Sequence, residues 1–135
     1  MTRVASLLLL TALLGAASTP KVLSPGATVQ RQIERFNAHD LEGYLALFAE
    51  DLEVAELPAS EWGTRNKAWL RGVYAERFKT NPDLRASTEA QLVSGTFVIE
   101  RERIRGRAGQ DGPLDVVVVY QVKEGKIVRM WELRD

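Results

Sequence analysis

The run Phe36-Asn37-Ala38-His39-Asp40-Leu41-Glu42-Gly43-Tyr44-Leu45-Ala46-Leu47-Phe48-Ala49-Glu50-Asp51-Leu52-Glu53-Val54 constrains this chain more than any other stretch. It reads as the end of one helix, a tight turn, a short second helix and the start of a strand. Asn37 belongs to a residue type that tolerates the left-handed conformation closing a helix. Asp40 stands where an N-cap belongs, and Glu42 in the next turn favours the helix dipole. Leu41, Tyr44, Leu45 and Phe48 recur at helical spacing. A chain that turns this sharply between two helices and then extends has to pack those helices against a sheet.

The rest of the sequence supplies that sheet. A first helix is expected over 26–38, with Val29, Gln32, Ile33 and Phe36 on one face. The second covers 41–49. A first strand follows over 52–57 and ends at Pro58, and 58–64 reads as a loop containing Trp62. A third helix over 66–79 stops at Asn81-Pro82. Four strands follow at 84–93, 96–105, 114–123 and 126–134, with Glu124-Gly125 as a hairpin signal. Helices first and strands after predict an α+β domain, with the helices on one face of an antiparallel sheet.

Before the first helix the composition changes. Arg3 precedes an apolar run, Val4 to Leu14, and Gly15-Ala16-Ala17-Ser18 offers the small residues a signal peptidase requires. The run is shorter than the ~20 residues that span a bilayer. The expected organisation is a signal peptide over 1–18, a linker over 19–25 and one domain over 26–135. The domain would be exported, periplasmic or secreted, with no stable membrane insertion after cleavage. The chain has no cysteine, which removes disulfides, thiolate chemistry and a lipid-attachment cysteine. Its formal net charge is zero with no basic stripe, so nucleic acid is not an expected partner. One histidine, His39, does not make a metal site, and no glycine-rich phosphate loop precedes a helix. Neither a metal nor a cofactor is expected.

Three stretches, Val29-Gln30-Arg31 with Phe36 to Leu41, Leu47-Phe48-Ala49-Glu50-Asp51, and Gly125-Lys126-Ile127-Val128-Arg129-Met130, resemble the nuclear transport factor 2-like superfamily, in its SnoaL-like and ketosteroid-isomerase-like branch. The resemblance implies a cone-shaped, cystatin-like fold, with three N-terminal helices on a curved sheet around a small-molecule pocket. It also allows a comparison with the isomerases of that branch. Their oxyanion-donating Tyr on the first helix matches Gln32. Their general-base Asp matches Glu56, their supporting Tyr on the third helix matches Tyr74, and their protonated Asp matches Val118. Valine donates nothing, and an oxyanion donor is worth several kcal/mol of barrier. The base position is retained and the donors are not, which argues against steroid isomerisation.

Strand alternation and the family pattern together define the expected site. Val54 and Glu56 share one strand face, as do Val118 and Tyr120. Val98, Glu100, Glu102 and Ile104 point inward, and so do Val128, Met130, Glu132 and Arg134. The expected site has Glu56 and Tyr74 as catalytic candidates. Its ligand-binding walls are Gln32, Phe36, Val54, Trp62, Val73, Val118, Tyr120, Met130 and Glu132. The ligand expected is a small hydrophobic or amphipathic organic molecule. An enzyme using Glu56 as general base, with Gln32 and Tyr74 polarising the substrate, is the alternative. A third reading is a homodimeric interaction module. Its partner surface would be the opposite sheet face, bearing Ile127, Arg129, Trp131 and Leu133.

Overall fold

A computed structural model describes residues 15–57 and 65–133. The expected signal-peptide run, Trp62 and Arg134 lie outside the described residues. Helix α1 spans Pro25–Asn37, with Pro25 at its start and Ser24 capping it through a hydrogen bond from the Ala27 amide (3.3 Å). Its buried face carries Thr28, Val29, Gln32, Ile33 and Phe36, the spacing that lays one helical stripe on a sheet. Helix α2 spans Leu41–Leu45. Asp40 caps it by accepting from the Gly43 amide at 2.9 Å, and Arg35 holds the same carboxylate at 2.9 Å.

The turn between these helices corrects one expectation. Asn37 is helical, and the residue with positive φ is His39 (φ 52°). The Asn37 side chain has another task. Its amide donates to the Ala86 carbonyl (2.8 Å) and its oxygen accepts from the Ala86 N–H (2.7 Å). It thereby imitates a neighbouring strand. His39 stacks on Phe78 (4.8 Å between centroids), and its Nε2 lies 2.9 Å from the Leu84 carbonyl oxygen. The sole histidine thus fastens α1 to the start of the sheet.

Helix α2 is shorter than its apolar spacing suggests, because pairing with a distant strand takes over. Strand β1 spans Phe48–Leu57, and the Leu47 carbonyl already accepts from the Ile127 amide at 2.8 Å. Helix α3, Lys67–Thr80, is capped by Asn66 (3.0 Å to the Trp69 amide). Its Tyr74 and Phe78 join Phe36 and Tyr44 in an aromatic cluster, with centroids 4.7–6.3 Å apart. Strands β2 (Arg85–Ser94), β3 (Phe97–Arg105), β4 (Leu114–Lys123) and β5 (Lys126–Leu133) complete one sheet in the order β1-β5-β4-β3-β2. Glu124 and Gly125 both have positive φ and close the tight β4–β5 turn.

The strands from β2 to β5 form an antiparallel meander, as the sequence predicts, but β1 pairs with β5 in parallel. Helix α3 and strands β2 to β4 separate β1 from β5, and that long connection allows the parallel pairing, which a hairpin cannot make. A second correction concerns β5. A register shift at Gln121/Val122 places Ile127 opposite Val122, and both are buried in the core. A bulge reverses the alternation beyond it. Ile127 therefore belongs to the core, while Arg129 and Trp131 remain on the outer face. Val128 is only half-buried, at the bulge. The core between helices and inner sheet face holds Val29, Ile33, Leu52, Leu70, Val98, Val118 and Ile127. Among the described residues no helix is long and apolar enough to cross a membrane.

Candidate functional site

The helices do not fill the concave face of the sheet. Toward the ends of α1 and α3 a cavity of about 440 Å³ remains. Exposure grades along its walls. Gln32, Ile33, Phe36, Tyr74, Leu84, Glu102, Val118, Tyr120 and Met130 are buried and form the floor. Arg77, Ile104, Arg107, Val116 and Glu132 are half-buried, and Asp115 and Leu133 are exposed at the mouth. An apolar wall with a few convergent polar groups is the ordinary make-up of a small-molecule site.

Alternation on β3 delivers the polar floor. Glu100 and Glu102 share the inner face with Val98, and both are buried. The Tyr120 hydroxyl donates to Glu102 Oε1 at 2.7 Å. Glu100 Oε1 accepts from Gln91 Nε2 at 2.6 Å, and Thr88 Oγ1 stands 3.4 Å away. Burial pushes the Glu102 carboxyl up to about 8, and the nearby Glu100 and Glu132 carboxylates raise it too. The Tyr120 hydrogen bond acts the other way. Glu100 is raised as well, chiefly by burial, with the bonds from Gln91, Glu102 and Thr88 opposing. Two carboxyls this close share a proton more readily than they hold two charges. Near neutral pH Glu102 is the partner that keeps the proton, and Glu100 is the hydrogen-bonded acceptor.

A second polar group lies on the helical side. Gln32 Oε1 is buried with no hydrogen-bond partner, and so is Glu100 Oε2 among protein groups other than that proton. The Tyr44 hydroxyl is likewise buried with no hydrogen-bond partner, and burial raises both the Tyr44 and the Tyr74 phenol. Arg77 places its guanidinium over the Tyr74 ring, 4.9 Å from the centroid. Among the described residues no group of His, Asp and Glu is arranged to hold a metal ion.

Of the residues expected at the site, Gln32, Phe36, Tyr74, Val118, Tyr120, Met130 and Glu132 meet around this cavity. Val54 and Val73 pack in or against the core without lining it. Glu56 is not a lining residue either. It sits near the end of edge strand β1, where Arg65 Nη1 reaches its Oε1 at 2.6 Å. The isolated bridge between Val54 and Arg65 carries that arginine to it. Glu102 is the cavity's buried carboxyl in place of Glu56. Its inward direction was legible from alternation on β3, but the neutralising burial depends on how α1, α2 and α3 cover it.

Helices laid on a curved, mostly antiparallel sheet around a cavity at its open end define the cystatin-type α+β class. Residues 29–130 match the SnoaL-like domain, and the chain belongs to that family, within the nuclear transport factor 2-like superfamily. Solved structures agree. A cystatin-fold protein of Novosphingobium aromaticivorans superposes with a TM-score of 0.73 at 27% identity, over 83% of this chain and 99% of that one. IdmH of Streptomyces antibioticus, a candidate polyketide cyclase, gives 0.65 at 25% identity, over 82% and 91%. A candidate ketosteroid isomerase of Kribbella flavida gives 0.67 at 20% identity, over 81% and 76%, a likeness of fold alone. No curated protein matches the sequence.

Proposed function

We propose that this SnoaL-like domain binds a small hydrophobic or amphipathic organic ligand in the cavity between α1, α3 and the sheet. The observation that carries the reading is the floor. The buried Glu102 carboxyl, an unpartnered Gln32 Oε1 and the Tyr120 hydroxyl converge there beneath walls of Ile33, Phe36, Leu84, Val118 and Met130. Burying such a carboxyl costs stability, so its retention at the bottom of a cavity favours a function over packing. The likeness to IdmH, a candidate polyketide cyclase, supports an organic ligand. Filling the floor tests the proposal. Val118→Phe is expected to keep the fold and to lower ligand occupancy at least tenfold, read by native mass spectrometry of protein purified without denaturation. Equal occupancy in the variant contradicts it.

A second reading, catalysis, is favoured by one observation. A carboxyl near 8 exchanges its proton close to neutral pH, as a general acid or base must. That places the chemistry on Glu102, with Gln32 and Tyr74 beside it, and leaves Glu56 to its ion pair with Arg65.

We also propose that two copies associate through the outer sheet face. Leu92, Ile99, Val119 and Trp131 line up across β2, β3, β4 and β5 by register, and Phe97 packs on Trp131 at 6.2 Å. Leu92, Phe97 and Ile99 are exposed on this face, whereas Leu133, expected on it, lines the cavity mouth. An apolar patch of this kind invites a partner. Trp131→Asp is expected to shift sedimentation from dimer to monomer, and a parent protein that stays monomeric at high concentration disposes of the idea. Export rests on the N-terminal sequence pattern, and the intact mass of the exported protein decides it.

A further inference from the structure

We propose that the ligand carries a protonated amine, held at the cavity floor between the Glu102 carboxyl and the Gln32 side-chain oxygen. The proposal rests on the cavity being the ligand site and names the chemistry that site selects.

One buried acceptor on the cavity floor has no donor. Gln32 is 3% exposed and lines the cavity, yet its Oε1 has no hydrogen-bond partner. Behind Glu102, Glu100 does not line the cavity, and its Oε2 is buried without a donor other than the shared proton. A ligand carbonyl or carboxylate would add further acceptors. An alkylammonium brings up to three N–H donors, one of them for Gln32 Oε1, and a positive charge for the Glu102 carboxyl.

The surrounding charge agrees. Glu102 is faced by Glu100 on its own strand, by Tyr120 on β4, by Glu132 on β5 and by Thr88 on β2. On the helical side stand Gln32 of α1, Tyr44 of α2, and Tyr74 and Arg77 of α3. Arg107 and Asp115 line the cavity from the β3–β4 connection. The cations of this set, Arg77 and Arg107, are half-buried, whereas the buried charges are carboxyls. Phe36, Tyr74 and Tyr120 add ring surface, which attracts an organic cation. Tyr74 already accepts a guanidinium on one face, 4.9 Å from its centroid.

Amine binding is then an exchange of one cation for another. The proton shared by Glu100 and Glu102 leaves to water as the ammonium enters, and the charge of the floor is unchanged. Below the Glu102 midpoint near 8, affinity rises about tenfold per pH unit, and it levels above that midpoint. A neutral ligand of the same shape shows no such slope.

Phenethylamine and phenethyl alcohol form the test pair, titrated into the whole protein by calorimetry at pH 6, 7 and 8. The expected result is amine binding at least tenfold tighter than alcohol binding at pH 8. About one proton should be released at pH 7, read from the dependence of the heat on buffer ionisation. Glu102→Gln, which still accepts from Tyr120, is expected to abolish both the preference and the proton release. Alcohol binding as tight as the amine overturns the amine assignment and leaves the cavity reading standing. Amine binding without proton release, or preserved in Glu102→Gln, overturns the assignment to Glu102. Failure of both probes to bind counts against the cavity as the ligand site, and the amine assignment falls with it.

Discussion

Gly106→Ala is expected to lower unfolding stability by about 4 kcal/mol. Gly106 has φ +76°, in the left-handed region that costs an L-residue ~1–2 kcal/mol. A Cβ there would stand 2.1 Å from the Asp83 carbonyl oxygen and 2.9 Å from the Leu84 amide nitrogen. Neither backbone atom can swing aside as a flexible side chain can. The close approach joins the exit of β3 to the entry of β2. Arg107 and Leu84 on either side of it line the cavity, so the same change should distort the site. Gly109→Ala is the internal control. Its φ is +75°, but nothing lies within 4 Å of the added Cβ, and its cost should be only the ~1–2 kcal/mol of the backbone. Urea unfolding of both variants measures the difference. Equal losses would mean that the contact with Asp83 does not exist.

The second large effect is a dependence of stability on pH. In the unfolded chain Glu102 releases its proton near 4.5, and in the folded protein near 8. Between those values the folded state binds the extra proton, so raising the pH favours unfolding. The sign is the reverse of that for an ion-paired carboxylate. Stability from this group is fully present below about 4.5 and falls by ~1.4 kcal/mol per pH unit, then levels above about 8. Glu100, also raised by burial, adds to the same trend. Glu102→Gln keeps an acceptor for the Tyr120 hydroxyl and has no proton to lose. Subtracting its stability curve from the parent's removes the titrating groups that do not interact with Glu102. The difference should slope by ~1.4 kcal/mol per unit from pH 5 to 8. Parallel curves would show that Glu102 is solvated and ionised in the folded protein.

The elements that local sequence determines agree with their expected positions, and those governed by distant contacts do not. Asp40 caps α2 as expected, because a short polar side chain before an apolar stripe needs only local geometry, and Ser24 and Asn66, not among the expected caps, cap α1 and α3 in the same way. The four C-terminal strands follow from alternation and from turns such as Glu124-Gly125. Helix α2 ends early because Leu47 and Phe48 pair with Ile127, nearly eighty positions away. The same pairing makes β1 parallel to β5, which no local pattern reports. Ile127 turns inward at a bulge that a strict two-residue period cannot anticipate.

The site divides in the same way. Gln32 and Phe36 on α1, Tyr74 on α3, and Val118, Tyr120 and Met130 on the sheet are placed by periodicity and family pattern together. Glu56 also shares its row with Glu132, as alternation implies. Its neighbour Arg65 comes from the far side of a loop, and that ion pair decides where its carboxylate is held. Glu102 faces inward on the same alternation, but its value as a buried acid depends on its cover. That cover consists of Tyr120, Glu100 and three helices from different parts of the chain.

The central claim is that the cavity floor is where a ligand sits, and Met130 reports on it directly. The sequence contains two methionines, and Met130 is 3% exposed among the floor residues. With methionine methyl groups labelled by carbon-13, titration with a bound amphiphile such as phenethylamine should move the Met130 resonance in a saturable way. The change should follow the binding isotherm and disappear in Val118→Phe. A ligand that binds while the Met130 methyl stays unmoved would contradict the account.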